Sequence, residues 1–183
     1  MPNYRRYYVP GGTYFFTLVS HERRPMFLRE DARRFLRESI LNEQRKRPFD
    51  LFAIVLLPDH LHCVLTLPSG DDRYSLRLGK IKEEFTKSFL EAGGAEGQTT
   101  DSRQKHRERA IWQRRFWEHT VKDEDDLKRC MDYIHWNPVK HELTNRVRDW
   151  PWSTFHRFVE ASEYDIDWGR TNPCEGFTEP EWE

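Results

Sequence analysis

Three features of this sequence predict an α+β fold, an antiparallel sheet with helices laid on one of its faces. Short runs rich in aromatic and aliphatic residues alternate with helical periodicity in the order β, α, β, β, α, β, α. Two of those runs, "FDLFAIVLLP" (Phe49–Pro58) and "HLHCVLTLP" (His60–Pro68), are divided by Pro58 and Asp59 alone, which leaves no chain for a parallel crossover. The chain of 183 residues is 37% hydrophobic, enough to bury a core in one domain.

The elements follow in order. "GGTYFFTLVS" (Gly11–Ser20) reads as a first strand behind a basic, tyrosine-rich arm. "EDARRFLRESILNEQRK" is helical, with Phe35, Leu36, Ser39 and Ile40 on one face, and Pro48 ends it. Two strands come next, paired through Pro58–Asp59. In "YSLRLGKIKEEFTKSFLEAGG" the buried stripe is Leu78, Ile81, Phe85 and Phe89, and Gly93–Gly94 close the helix. "GGAEGQTTDSRQKHRER" has almost no apolar content and is expected to be a mobile loop. "AIWQRRFWEHTV" is expected to be a strand. In "KDEDDLKRCMDYIHWN", acids in the first turn suit a helix N-terminus, and Pro138 is expected to stop or kink it. "DWPWSTFHRF" should pack its aromatic residues on the body. The first six elements have the order of the ferredoxin-like (RRM-like) fold, which leaves one additional C-terminal helix. The expected division is a domain over residues 1–158, including the arm, and an acidic tail over 159–183.

Charge is unevenly spread. Residues 1–157 carry 29 Lys/Arg against 23 Asp/Glu, whereas residues 158–183 carry one Arg against eight acids. The body could attract a polyanion and the tail could not. No run is long and apolar enough for a membrane span, the N-terminus lacks a signal-peptide core, and three scattered cysteines form no framework. A cytoplasmic location is expected.

His60 and His62 stand two apart in a strand, so both rings project from one face while Leu61, Cys63, Leu65 and Leu67 face the other way. Such a pair serves either as ordinary cleft residues or as two metal ligands. Tyr133 and Asn137, four apart on the last helix, share a face, whereas Leu127, Met131 and Ile134 are the better core positions. Two imidazoles and an amide oxygen suit Mg²⁺ or Mn²⁺, with positions left for substrate oxygens. Charge neutralisation at a phosphate would then assist attack by the Tyr133 phenol, a weak nucleophile at neutral pH. Tyrosine in a helix is equally a packing residue. A metal-dependent phosphodiesterase using water and a non-catalytic nucleic-acid binding module therefore stand as alternatives.

The block "PDHLHCVLTLP" resembles the HUH signature (histidine, bulky hydrophobic, histidine) of single-strand DNA nucleases. "WQRRFWEHTVKDEDDLKRCMDYIHWNPVKHEL", "DWPWSTF" and the opening "YRRYYVPGGTYFFTLVSHERRPMF" resemble the REP-associated tyrosine transposases, relatives of the IS200/IS605 transposases. The resemblance spans roughly residues 4–158. It implies a ferredoxin-like core with His60 and His62 as the histidine pair, Tyr133 as nucleophile and Asn137 as third metal ligand, where insertion-sequence relatives more often carry glutamine. It also implies cleavage of single-stranded DNA beside imperfect palindromic hairpins, leaving a 5′-phosphotyrosine and a 3′-hydroxyl. The active form is expected to be a monomer, with a dimer as the alternative. Glu118 and His119 are candidates to orient a ligand or a metal-bound water. For DNA contact the candidates are Arg5, Arg6, Tyr7 and Tyr8 in the arm, with Arg33, Arg34, Arg37, Lys80, Lys82, Lys87, Arg114 and Arg115 along the backbone path.

Overall fold

A computed structural model describes residues 7–106 and 108–173. Its elements are β1 (Thr13–Val19), α1 (Glu30–Lys46), β2 (Asp50–Leu56), β3 (His60–Thr66), α2 (Tyr74–Glu91), α3 (Asp101–Lys105), β4 (Trp117–Thr120), α4 (Glu124–Lys140) and α5 (Phe155–Glu160). The four strands form one antiparallel sheet in the order β2-β3-β1-β4, the ferredoxin-like arrangement expected from element order. The arm residues Arg5 and Arg6 lie outside the described residues.

Alternation along β1 and β3 divides the molecule into two cores. Tyr14, Phe16, Leu18, Leu61, Cys63 and Leu65 turn to one face and are buried under α1 and α2, with Leu36, Leu78, Ile81, Phe85 and Phe89 closing that layer. Phe15, Val55 and Val64 turn to the other face and meet Cys130, Met131, Tyr133 and Ile134 of α4. The second face of the sheet is therefore covered, and α4 is packed along both sides of its stripe. Leu127, Met131 and Ile134 were expected to be the better core positions, yet Tyr133 and Asn137 are buried as well, at 2% and 0% exposure, while Leu127 is only partly buried.

Three local expectations are also corrected. The polar stretch before Ala110 contains α3, capped by Thr100, and the Arg103 guanidinium is buried where it donates to the carbonyls of Arg109 (3.1 Å) and Trp112 (3.2 Å). Those backbone acceptors order a segment that has few apolar residues to do so. Of "AIWQRRFWEHTV" only Trp117–Thr120 is strand; Ala110–Trp112 is buried instead, and Trp112 makes a single bridge to Ser20. Pro138, expected to stop or kink the helix, does not stop α4 at once: it stands inside the last turn, the helix runs on to Lys140, and His141 N–H still reaches the Asn137 carbonyl at 3.0 Å.

The aromatic segment seals the β2 edge. Leu56 N–H donates to the Trp152 carbonyl (2.8 Å) and Thr154 N–H to the Ile54 carbonyl (2.9 Å), which uses backbone groups an open edge would expose. Beyond α5, Tyr164 donates to Asp132 of α4 at 2.6 Å, and its ring packs on Trp168 at 4.7 Å.

Candidate active site beneath helix α4

β3 puts His60 and His62 on the α4 side of the sheet, with ring centroids 4.9 Å apart and exposures of 3% and 0%. Each ring is oriented through Nδ1. The Thr17 hydroxyl, directly across the β1–β3 ladder, lies 2.8 Å from His62 Nδ1, and an Asp59 carboxylate oxygen lies 2.5 Å from His60 Nδ1. Asp59 is itself held by Arg23 at 3.2 Å. Burial alone would raise the Asp59 carboxyl, but the His60 and Arg23 contacts outweigh it and hold the group below its usual range. Burial, followed by electrostatic repulsion from the neighbouring basic groups, Lys140 among them, pushes His62 well below the ordinary histidine value and favours its neutral form. A neutral imidazole fixed through Nδ1 presents Nε2 as its coordinating nitrogen.

From α4, spacing in threes and fours lays Asp126, Cys130, Tyr133 and Asn137 along one stripe that faces the sheet. The Tyr133 ring stands edge-on to His62, with centroids 5.3 Å apart, and to Phe15 at 5.9 Å. Its hydroxyl accepts from Lys140 Nζ at 3.0 Å. His141, at the helix C-cap, brings its ring within 5.2 Å of His60. Among the described residues, His60 Nε2 and both amide atoms of Asn137 are buried without a hydrogen-bond partner. An unsatisfied buried polar group costs about 1–3 kcal/mol, so buried donors of this kind fit a divalent cation. Two histidine nitrogens and an amide oxygen are thus brought to one face as candidate ligands.

The remaining candidates are distributed elsewhere. Glu118 faces the opposite layer, next to Phe16, and accepts from the Tyr74 hydroxyl at 3.3 Å, so it does not orient a ligand beside the histidines. His119 faces the α4 side, but its Nε2 is engaged with Asp126 at 2.8 Å. Tyr7 is exposed and Tyr8 stacks on Tyr74 at 5.0 Å. Arg33 is tied into the fold through the Phe27 and Leu28 carbonyls and lies 4.3 Å over Trp152. Arg34 lies 3.9 Å from Glu38, Lys80 pairs with Glu83 at 2.7 Å, and Arg37, Lys87 and Arg115 are exposed. Lys82 and Lys87, with Arg103, Arg109 and Arg114, line a cleft of about 620 Å³ between α2 and the 103–114 segment, remote in the fold from the histidines. There Lys82 donates to the Gln113 carbonyl (2.7 Å) and Arg114 pairs with Glu108 (2.5 Å).

Sequence reasoning missed Thr17, Asp59, Lys140 and His141. Only Lys140 left a usable signal, since seven residues are two helical turns and return it to the Tyr133 face. Thr17 is brought to His62 by strand register, which no local pattern records.

Two oriented histidines on a central strand beneath a helix-borne tyrosine make this the architecture of the IS200-like transposases, whose family model (Transposase IS200 like) matches residues 8–137. The chain belongs to the REP-associated tyrosine transposases of that family. It is 44% identical to the REP-associated tyrosine transposase of Escherichia coli over 168 residues (92% of this chain, 91% of the relative). It is also 44% identical over 169 residues to a protein of Haemophilus influenzae described as a putative member of that group (92% and 94%). A solved structure of a REP-associated tyrosine transposase bound to a REP hairpin superposes with a TM-score of 0.77 at 42% identity, covering 94% of each chain. Membership makes the chain an enzyme, a DNA nuclease and strand transferase.

Proposed function

We propose that this transposase cleaves single-stranded DNA beside a REP-type hairpin, with Tyr133 as nucleophile and with His60, His62 and Asn137 holding a divalent ion, Mg²⁺ or Mn²⁺. The observation that carries this reading is the adjacency of the Tyr133 ring to His62, whose Nδ1 is fixed by Thr17. Bound there, the ion would supply positive charge to nonbridging phosphate oxygens. The chain's own groups do the rest. α4 carries the phenol to the strand face, so the attacking oxygen is positioned before the substrate arrives. Tyr133 is 2% exposed, so the DNA strand has to displace what covers it. Attack by Oη on phosphorus forms the P–O bond to Tyr133 and breaks the bond to the 3′-oxygen. The phenolic proton is lost to solvent and the departing oxygen takes one up, which leaves a 5′-phosphotyrosine and a 3′-hydroxyl. The hairpin in the solved relative supports a hairpin substrate here.

Incubating the protein with Mn²⁺ and a labelled hairpin carrying a single-stranded flank, followed by denaturing electrophoresis, tests the reading. The expected result is a covalent protein–DNA adduct that EDTA prevents and that Tyr133→Phe abolishes. Cutting without an adduct would assign the chain to water-using phosphodiesterases, and an unbroken but shifted hairpin would make it a binding module.

A further inference from the structure

A second cluster of donor atoms lies on the same stripe of α4, two turns before the tyrosine. The imidazole nitrogen of His119 on β4, a carboxylate oxygen of Asp126 and the sulfur of Cys130 all lie within 4.8 Å of one another. Cys130 is fully buried and Asp126 nearly so, whereas the His119 side chain keeps 29% exposure and opens the cluster to solvent. We propose that His119, Asp126 and Cys130 form a second metal site, selective for zinc-like divalent ions and distinct from the His60/His62/Asn137 set.

The donor chemistry carries the selectivity. A thiolate, an imidazole and one carboxylate oxygen are a zinc set with the fourth tetrahedral position left for water, whereas magnesium and manganese favour oxygen-rich sites. Zinc–ligand bonds of about 2.0–2.3 Å put neighbouring ligands roughly 3.3–3.8 Å apart in a tetrahedron, so a cluster no wider than 4.8 Å closes with side-chain movement of about 1 Å. Binding releases the Cys130 thiol proton to solvent. The His119–Asp126 contact at 2.8 Å already holds β4 to α4, and Asp126 is further fixed by the Lys122 N–H at 3.0 Å, so two of the three ligands are preorganised.

Position gives the site its purpose. Tyr133 follows Asp126 by seven residues on the same helical face, and the strand that supplies His119 pairs with β1, which also supplies Thr17 to His62. An ion bridging β4 and α4 fixes the rotation of the helix over the sheet, and with it the place of the phenol. His119, Asp126 and Cys130 are therefore positioning residues, and the ion is structural.

Cobalt(II) reads the site directly, because a thiolate ligand gives an intense sulfur-to-cobalt charge-transfer band. The experiment uses the full chain carrying His60→Ala and His62→Ala, which removes the other candidate site. The expected result is one tightly bound Co²⁺ or Zn²⁺ per chain, the charge-transfer band with Co²⁺, and a Tm raised by Zn²⁺. Adding Cys130→Ser should abolish the band and weaken Zn²⁺ binding at least about 100-fold, the upper end of what loss of even an outer partner costs. Cys63 and Cys174 remain as internal controls. Cys130→His should restore binding without the band, which separates lost coordination from a damaged fold. Absence of the band in the His60/His62 variant, or a band that survives Cys130→Ser, overturns the proposal.

Discussion

Tyr133 and Lys140 show how much one residue's surroundings matter. Lys140 Nζ sits 3.0 Å from the phenolic oxygen, where negative charge gathers as the O–H proton is lost. Lys140→Met keeps the aliphatic stem and removes the cation, so adduct formation in single-turnover experiments should slow by about 10-fold or more, in line with the loss of one charge-assisted hydrogen bond. His135 gives a prediction about pH. Burial among Phe155, Phe158 and Tyr164 lowers it to about 3. Between the unfolded value of about 6.5 and the folded value of about 3, the unfolded chain binds a proton that the native chain does not. Stability contributed by neutral His135 is thus complete above about pH 6.5 and falls with pH through that window, at no more than about 1.4 kcal/mol per pH unit. Urea denaturation at pH 6.5 and 4.5 should show a shallower loss for His135→Leu than for the parent chain. Both histidines of the candidate site were legible as a spaced pair, but nothing in the local sequence marks which ring nitrogen His62 presents. That is set by Thr17 across the β1–β3 ladder, whereas His60 is oriented by its own neighbour Asp59.

At the scale of an element, α4 joins folding to chemistry. Its first turn is pinned by Asp123, whose side chain accepts the Asp126 N–H at 2.8 Å. Asp123→Ala should cost about 1 kcal/mol of stability and lower Tm by about 2–4 °C in scanning calorimetry, while leaving the far end of the helix in place. The acidic first turn made this helix readable in advance. Its burial on both sides was not readable, because amphipathic periodicity reports one apolar face and cannot say that Asn137 and Tyr133 will be pressed against strands. The polar stretch "GGAEGQTTDSRQKHRER" erred the other way. Its composition reads as loop, yet the Arg103 side chain finds buried backbone acceptors supplied by residues 109 and 112.

Over the whole molecule, charge is the property most exposed to experiment. If exposed Lys87 and Arg115 touch phosphates of the bound hairpin, each substitution to alanine should weaken binding at low salt. Each should also reduce the slope of log affinity against log salt by about 0.7–0.9, the contribution of one neutralised phosphate. Fluorescence anisotropy across a salt series measures both, and an unchanged slope would remove that residue from the DNA path. Arg33 is a useful contrast: its guanidinium is spent on the Phe27 and Leu28 carbonyls and on Trp152, so its loss should show in stability before affinity. Among the described residues no helix is long and apolar enough to cross a membrane.

Periodicity and turn chemistry act locally, and so the sequence alone determined the order of the four strands and the three long helices, the antiparallel β2–β3 pair, the shared face of His60 and His62, and the helical spacing of Tyr133 and Asn137. The approach of the tyrosine to the histidines, the Thr17 contact, the turning away of Glu118 and the meeting of His119 with Asp126 and Cys130 were decided only by tertiary structure. Each depends on which strand lies beside which and on how α4 is rotated over the sheet. Those are long-range packing choices, made by two apolar layers closing on opposite faces of one sheet.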